Sequence, residues 1–211
     1  MKDPPGAETT LALGLGQSIA NDVRYPTALG IGHDGALYVG NADYPDYSSV
    51  YTFAPHGTTG VFRFQLGAPT AIAFDGSGRA YFTSVLHHGM GTYVPIYSPT
   101  KQKVVGTLPV AGSTGLAIRR DGFIFVASVT ASAKVSANTV AIFAADGRVV
   151  ATIKTGISSP YGLVLDQYGN VYVLNQGNNT ITVYSPGHWT KPLRTISTGS
   201  GGSSSIAIGT T

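Results

Sequence analysis

The chain has 211 residues, 43% of them hydrophobic but only 11% charged, against roughly a quarter charged in an ordinary soluble domain. No run approaches the ~18 unbroken apolar residues of a membrane-spanning helix, which excludes insertion by that route. The net charge of +3 comes from scattered lysines and arginines whose one adjacent pair is Arg119-Arg120, so the converging cationic strip of a nucleic-acid binder is missing.

In chain order, residues 1–8 read as a flexible N-terminal segment, and 9–14 (TTLALG) as an outer strand. Four similar segments follow: Pro26-TALGIGHDGALYVGN, Pro69-TAIAFDGSGRAYFTS, Ser113-TGLAIRRDGFIFVAS and Pro160-YGLVLDQYGNVYVLN. Their turn glycines, Gly35, Gly78, Gly122 and Gly169, recur at intervals of about 43 to 47 residues, a period that marks a repeat architecture. Each segment is a short apolar strand, a tight turn ending in Gly, and a second strand with an aromatic residue. Third strands follow in SSVYTFAPHG, GTYVPIYSPT, NTVAIFAADG and NTITVYSPGH, and fourth strands in GVFRFQ, KVVGTL, RVVATIK and LRTIS. Alternating β-branched and aromatic residues make these strands rather than helices.

Four antiparallel strands per unit of this length is the signature of a β-propeller blade. The expected fold class is therefore all-β, with four-stranded antiparallel blades over 26–66, 69–109, 113–155 and 160–198. Residues 205–208 are expected to add a partial inner strand of a further blade. With an outer strand at one end and an inner strand at the other, the expectation is a truncated propeller or an open arc closed by oligomerisation.

The phrases SPYGLVLDQYGNVYVLNQGNNTITVYSPG and PTAIAFDGSGRAYF resemble NHL-type repeats of bacterial β-propellers, a group related in shape to gluconolactonase-like proteins. The resemblance runs from about residue 9 to the end. It implies a platform for a ligand or a protein, with lyase or lactonase activity in certain members only.

In such a blade the loops after the second and fourth strands share one face. That face receives Tyr25, Tyr161, the strand ends Asn41, Ser84, Ser128 and Asn175, and three longer loops. Loops on a rigid scaffold commonly carry function, so this face is the expected binding surface. Asp43, Tyr44, Asp46 and Tyr47 offer carboxylates and flat aromatic faces to a cation, sugar or basic peptide, or they form a solvated turn around Pro45. His87 and His88, near Tyr93, supply two ligands where a catalytic zinc site takes three protein ligands. The alternative for this pair is an exposed polar loop. Asn41, Ser84, Ser128 and Asn175 hold either a ligand in the channel or the backbone at a strand end. Asp34, Asp75, Asp121 and Asp146 read as turn formers.

Catalysis is disfavoured by the residues available. There is no cysteine, which removes disulfides and thiol nucleophiles. The one glutamate is Glu8, and neither a nucleophile elbow nor a phosphate-cradling loop occurs. The lactonase resemblance implies a metal site built around a Glu that has no match here. The reading is a non-catalytic binding or scaffold propeller engaging a protein, peptide or glycan, with no cofactor unless a divalent metal binds. The alternatives are a metal-dependent lyase or lactonase-like enzyme, and a self-assembling repeat unit that forms a homo-oligomer through its end blades. Low charge with Ser, Thr, Gly and Tyr points to a secreted or cell-surface protein. Because MKDPPGAETT lacks a signal peptide's apolar stretch, its leader is expected outside this chain, with a cytoplasmic location as the alternative.

Overall fold

A computed structural model describes residues 23, 25–42, 48–85, 92–132, 134–199 and 205–209. Among them sixteen strands form four separate sheets, each a four-stranded antiparallel meander. Blade 1 comprises β1 (Pro26–Ile31), β2 (Leu37–Asn41), β3 (Ser49–Phe53) and β4 (Val61–Gln65). Blade 2 comprises β5 (Ala68–Phe74), β6 (Ala80–Val85), β7 (Val94–Ser98) and β8 (Lys103–Leu108). Blade 3 comprises β9 (Ser113–Ile118), β10 (Ile124–Ser128), β11 (Thr139–Phe143) and β12 (Val149–Ile153). Blade 4 comprises β13 (Pro160–Leu165), β14 (Val171–Asn175), β15 (Thr180–Tyr184) and β16 (Arg194–Ser197).

The central strands of the interior blades are near-continuous apolar runs, with β10 and β11 buried throughout, because an interior blade is covered on both sides. The turns between the first two strands close on Gly35, Gly78, Gly122 and Gly169, all with φ between 75 and 90°, which L side chains rarely adopt.

Three clusters fill the three seams. Tyr38, Val50 and Leu66 of blade 1 meet Ala80, Phe82 and Tyr97 of blade 2, with Phe64 and Phe82 in edge-to-face contact at 5.2 Å. Between blades 2 and 3 lie Tyr81, Leu108, Leu116, Ile124 and Phe143. Between blades 3 and 4 lie Phe125, Ile142, Ile153, Leu163 and Tyr184. In each seam the trailing face of one blade packs on the leading face of the next. Fully burying one such side chain contributes about 1.5–3 kcal/mol.

Near the channel the innermost strands approach closely. A Cβ on Gly115 would lie 2.9 Å from the Tyr161 carbonyl oxygen and 3.1 Å from the Leu163 amide nitrogen. A threonine latch ties the same strands. Thr70 Oγ1 donates to the Ser113 carbonyl at 3.0 Å, and Thr114 Oγ1 to the Pro160 carbonyl at 2.6 Å. Thr27, at the matching position of blade 1, donates instead to Gly40 within its own blade at 3.3 Å.

One expectation is corrected. Residues 205–208 carry no strand assignment. The segment lies along blade 4, where a Cβ on Gly162 would come within 2.9 Å of Ile206. A strand needs a ladder partner, and no described neighbouring strand supplies one. The segments expected at 1–8 and 9–14 fall outside the described residues.

Candidate functional site

Antiparallel meanders place the connections β2–β3 and β4–β5, with their counterparts in the other blades, at one end of the arc. The polar residue that closes the second strand of blades 1, 3 and 4, and Ser84 one residue before the end of β6, are buried at that end. Asn41 Oδ1 accepts the Tyr25 amide at 2.8 Å, and Asn175 Oδ1 accepts the Ser158 amide at 3.1 Å. Asn175 Nδ2 donates to Thr182 Oγ1 at 3.0 Å and to the Val173 carbonyl at 3.3 Å. Ser128 Oγ lies 2.7 Å from the Ala111 carbonyl and 2.6 Å from that of Thr130. The Ser84 backbone is bracketed by Ser113 Oγ, which accepts its amide at 3.0 Å and donates to its carbonyl at 3.3 Å. The hydroxyl of Ser84 is buried without a hydrogen-bond partner among the described residues.

Asn41, Ser128 and Asn175 thus bind backbone just upstream of the innermost strand. A backbone bond repeats the same closure in three blades: Ala42 to Tyr25 (2.9 Å), Val129 to Gly112 (3.1 Å) and Gln176 to Ser159 (3.1 Å). These residues fix the rim on which the loops stand.

The rim carries aromatic rings outward. Tyr25 is 58% exposed and Tyr93 44% exposed, whereas Tyr161 is half-buried beside the channel. Tyr161 helps line a small cavity of about 170 Å³ with Thr70, Thr114, Gly115, Gly162 and Ser205. The segment between β10 and β11 is pinned at its base. Ser132 Oγ donates to the Pro109 carbonyl at 2.9 Å and accepts the Val135 amide at 3.1 Å. Asn138 and Ser159 both adopt positive φ, 51° and 44°. They are joined by the Ser159 amide donating to Asn138 Oδ1 at 3.2 Å. Asp43, Tyr44, Asp46, Tyr47, His87 and His88 lie outside the described residues. Among the described residues no group of three or more His, Asp and Glu side chains converges as metal ligands would.

The opposite end holds the tight turns, including those of His33, His56 and His188. Its chemistry centres on carboxylates three residues ahead of the turn glycines. Asp75 Oδ1 accepts the amides of Ser77 (2.9 Å) and Arg79 (3.0 Å) and the Ser77 hydroxyl (2.6 Å). Its Oδ2 accepts Arg79 Nε at 2.7 Å and the Tyr81 hydroxyl at 3.1 Å. Burial opposes ionisation of Asp75, but the bonds from Ser77 and Arg79 outweigh it and hold its carboxyl below the ordinary carboxylate range. Burial, with Asp75 beside it, pushes the Tyr81 hydroxyl up to about 12.

Asp166 repeats the arrangement in blade 4, accepting from Tyr168, Asn170 and Tyr172. Sequence reasoning passed over Asp166. Its place three residues before Gly169, matching Asp75 before Gly78, was the available signal. Asp34, Asp121 and Asp146 each accept the amide two residues on, as turn formers do.

This architecture is similar to that of solved propellers. Selenomethionine-substituted virginiamycin B lyase from Staphylococcus aureus aligns with a TM-score of 0.62 and 11% identity, over 78% of this chain and 53% of that one. A streptogramin B lyase aligns at 0.61 and 13%, over 80% of this chain and 54% of its own. The hydrazine synthase of Kuenenia stuttgartiensis aligns at 0.59 and 17%, over 80% and 47%. The chain spans about half the length of these structures. At such identities the likeness establishes the β-propeller fold, which in these proteins serves enzymes, so the fold accommodates catalytic as well as binding roles. Neither a family model nor a curated protein matches the chain.

Proposed function

We propose that the chain is a non-catalytic binding propeller of NHL type that engages a protein, peptide or glycan through its loop-bearing end, at a cell surface or after secretion. The observation supporting this most directly is the rim: buried Asn41, Ser128 and Asn175 clamp its backbone, while Tyr25 and Tyr93 stand exposed upon it. A fixed base with outward aromatic rings supplies contact area at low entropic cost, because Tyr has few rotatable bonds. At the opposite end Asp75 and Asp166 commit both carboxylate oxygens to their own turns.

The test is a panel of immobilised glycans and peptides probed with the intact chain and with Tyr25→Ala, Tyr93→Ala and the double variant. Loss of ~1–2 kcal/mol of binding per ring, with no effect of Tyr168→Ala at the opposite end, is the expected pattern. Binding indifferent to both rings defeats the proposal. Turnover of a bound probe replaces it with an enzymatic reading.

A further inference from the structure

At the turn end, two grooves run between neighbouring blades at matching places. One, of about 830 Å³ between blades 3 and 4, is lined by Arg119, Arg120, Asp121 and Asp166, whose charges cancel. The other, of about 660 Å³, lies between blades 1 and 2. It is lined by His33 and Asp34 of the β1–β2 turn, Ser77 and Arg79 of the β5–β6 turn, and Thr100 and Lys101 of the β7–β8 turn. Arg79 and Lys101 against Asp34 leave one positive charge on this lining. Behind it, Arg63 reaches Gln102 and Asp75 holds Arg79, and these two charges offset each other.

The polar groups of this groove are available. Arg79 engages Asp75 through Nε, and neither its terminal nitrogens nor Lys101 Nζ has a hydrogen-bond partner among the described residues. Those terminal nitrogens form a planar fork that suits a carboxylate. Asp34 gives only Oδ1 to its own turn, accepting the Ala36 amide at 3.1 Å.

A second observation comes from the repeat. Tyr81 and Tyr172 donate their hydroxyls to Asp75 and Asp166, each three residues ahead of its turn glycine. In blade 1 that place is Gly32. Tyr38, only 2% exposed, makes no side-chain hydrogen bond among the described residues. A Cβ on Gly32 would lie 3.0 Å from Tyr38 Cε2 and 2.5 Å from Asp34 Oδ1, so the phenol ends beside the Asp34 wall of the groove. Burial, with Asp34 beside it, pushes this hydroxyl up to about 12, so it stays a donor near neutrality. A nearly buried donor without an acceptor is costly, and a ligand oxygen in the groove supplies one.

We propose that this groove binds an acidic saccharide through one uronic acid unit, its carboxylate between Arg79 and Lys101 and its hydroxyls toward Asp34, Thr100 and Tyr38. A uronate carries one negative charge, matching the surplus on the lining. Its several hydroxyls match a surface that both donates and accepts. A bare oxyanion would meet Asp34 as well as the cations and leave that acceptor unused. The volume lies within the ~300–1,000 Å³ usual for small-molecule sites. The site is at the end opposite the rim and is independent of the ligand proposed there.

Isothermal titration of the intact chain with tetragalacturonate, and with neutral maltotetraose at equal ionic strength, reads the binding. The neutral sugar is expected to bind at least ~10-fold more weakly than the uronate. Lys101→Glu is expected to weaken uronate binding at least ~10-fold. Tyr38→Phe keeps the ring and should weaken it about 3–10-fold, a loss that a purely electrostatic contact would not show. Arg120→Glu makes the same change of charge in the balanced groove and should leave binding unchanged, as should the Tyr25→Ala, Tyr93→Ala double variant at the rim. Circular dichroism verifies that each variant folds. Absence of uronate binding overturns the inference. So do equal binding of the two sugars, equal losses in Lys101→Glu and Arg120→Glu, and full displacement by equimolar sulfate.

Discussion

Replacing Asp75 by Asn probes the most heavily bonded side chain at the turn end. Asn keeps the shape and one acceptor oxygen, so the three bonds at Oδ1 survive in neutral form. At Oδ2 an NH2 group replaces an oxygen that accepts Arg79 Nε at 2.7 Å and the Tyr81 hydroxyl at 3.1 Å. Two donors then face each other where Arg79 was bound. Bonds to a charged group contribute about 1.5–3 kcal/mol. The Coulombic part of the pair is discounted because the Arg79 side chain is 37% exposed and screened. One lost charged bond and the weakening of the rest give about 3 kcal/mol, or roughly 6–12 °C in Tm for a chain of this size.

Urea unfolding of both proteins, followed by circular dichroism and by the fluorescence of Trp189 in the seam between blades 3 and 4, reads the difference. The pH dependence supplies a second check. The folded pKa of Asp75 lies below 3.8, so its carboxylate contributes fully above the unfolded value, about 3.9. That contribution is lost as pH falls through the lower folded value. The gap between wild type and variant should be constant near neutrality and close in strongly acidic solution. A gap under ~0.5 kcal/mol at pH 7, or one that persists unchanged below pH ~3, refutes the reasoning.

Three further substitutions test other parts of the scaffold. Gly115→Ala is expected to cost about 1–3 kcal/mol, because its Cβ meets backbone at 2.9 and 3.1 Å; thermal unfolding measures it. Thr114→Val keeps the volume but removes the 2.6 Å bond to the Pro160 carbonyl, and chemical unfolding should show a loss of about 1–3 kcal/mol. Asn175→Ala strips the buried clamp on the Ser158 amide and should cost about 2–3 kcal/mol. It should also speed hydrogen exchange at Ser158, while exchange in blade 1 stays unchanged.

The strands were legible because sheets that pack face to face bury apolar residues on both sides, which writes β-branched and aromatic residues plainly into segments such as FIFVAS and NVYVLN. The turn glycines were legible for the same reason of local constraint, since their φ values leave little alternative. The rim was read only in part. A polar residue ending a strand looks alike whether it clamps backbone or faces a ligand, and the backbone bonds of Asn41, Ser128 and Asn175 are not written in the sequence pattern. Asp166 escaped notice because Gln167 and Tyr168 separate it from Gly169, so it lacks the Asp-Gly pair that marks Asp34, Asp121 and Asp146. The segment 205–208 has a strand-like sequence, but pairing depends on a neighbour that sequence pattern alone does not supply.

The position after the latch residue is Ala28, Ala71, Gly115 and Gly162 in the successive blades. This residue sits where the innermost strands converge, so its volume acts as a wedge between adjoining sheets. At the seam between blades 3 and 4 it is Gly115, whose added Cβ would meet the Tyr161 carbonyl oxygen at 2.9 Å and the Leu163 amide nitrogen at 3.1 Å. A single methyl group there is felt between two blades and not within one, so the approach of these sheets near the axis depends on a residue outside the hydrophobic cluster that fills their seam.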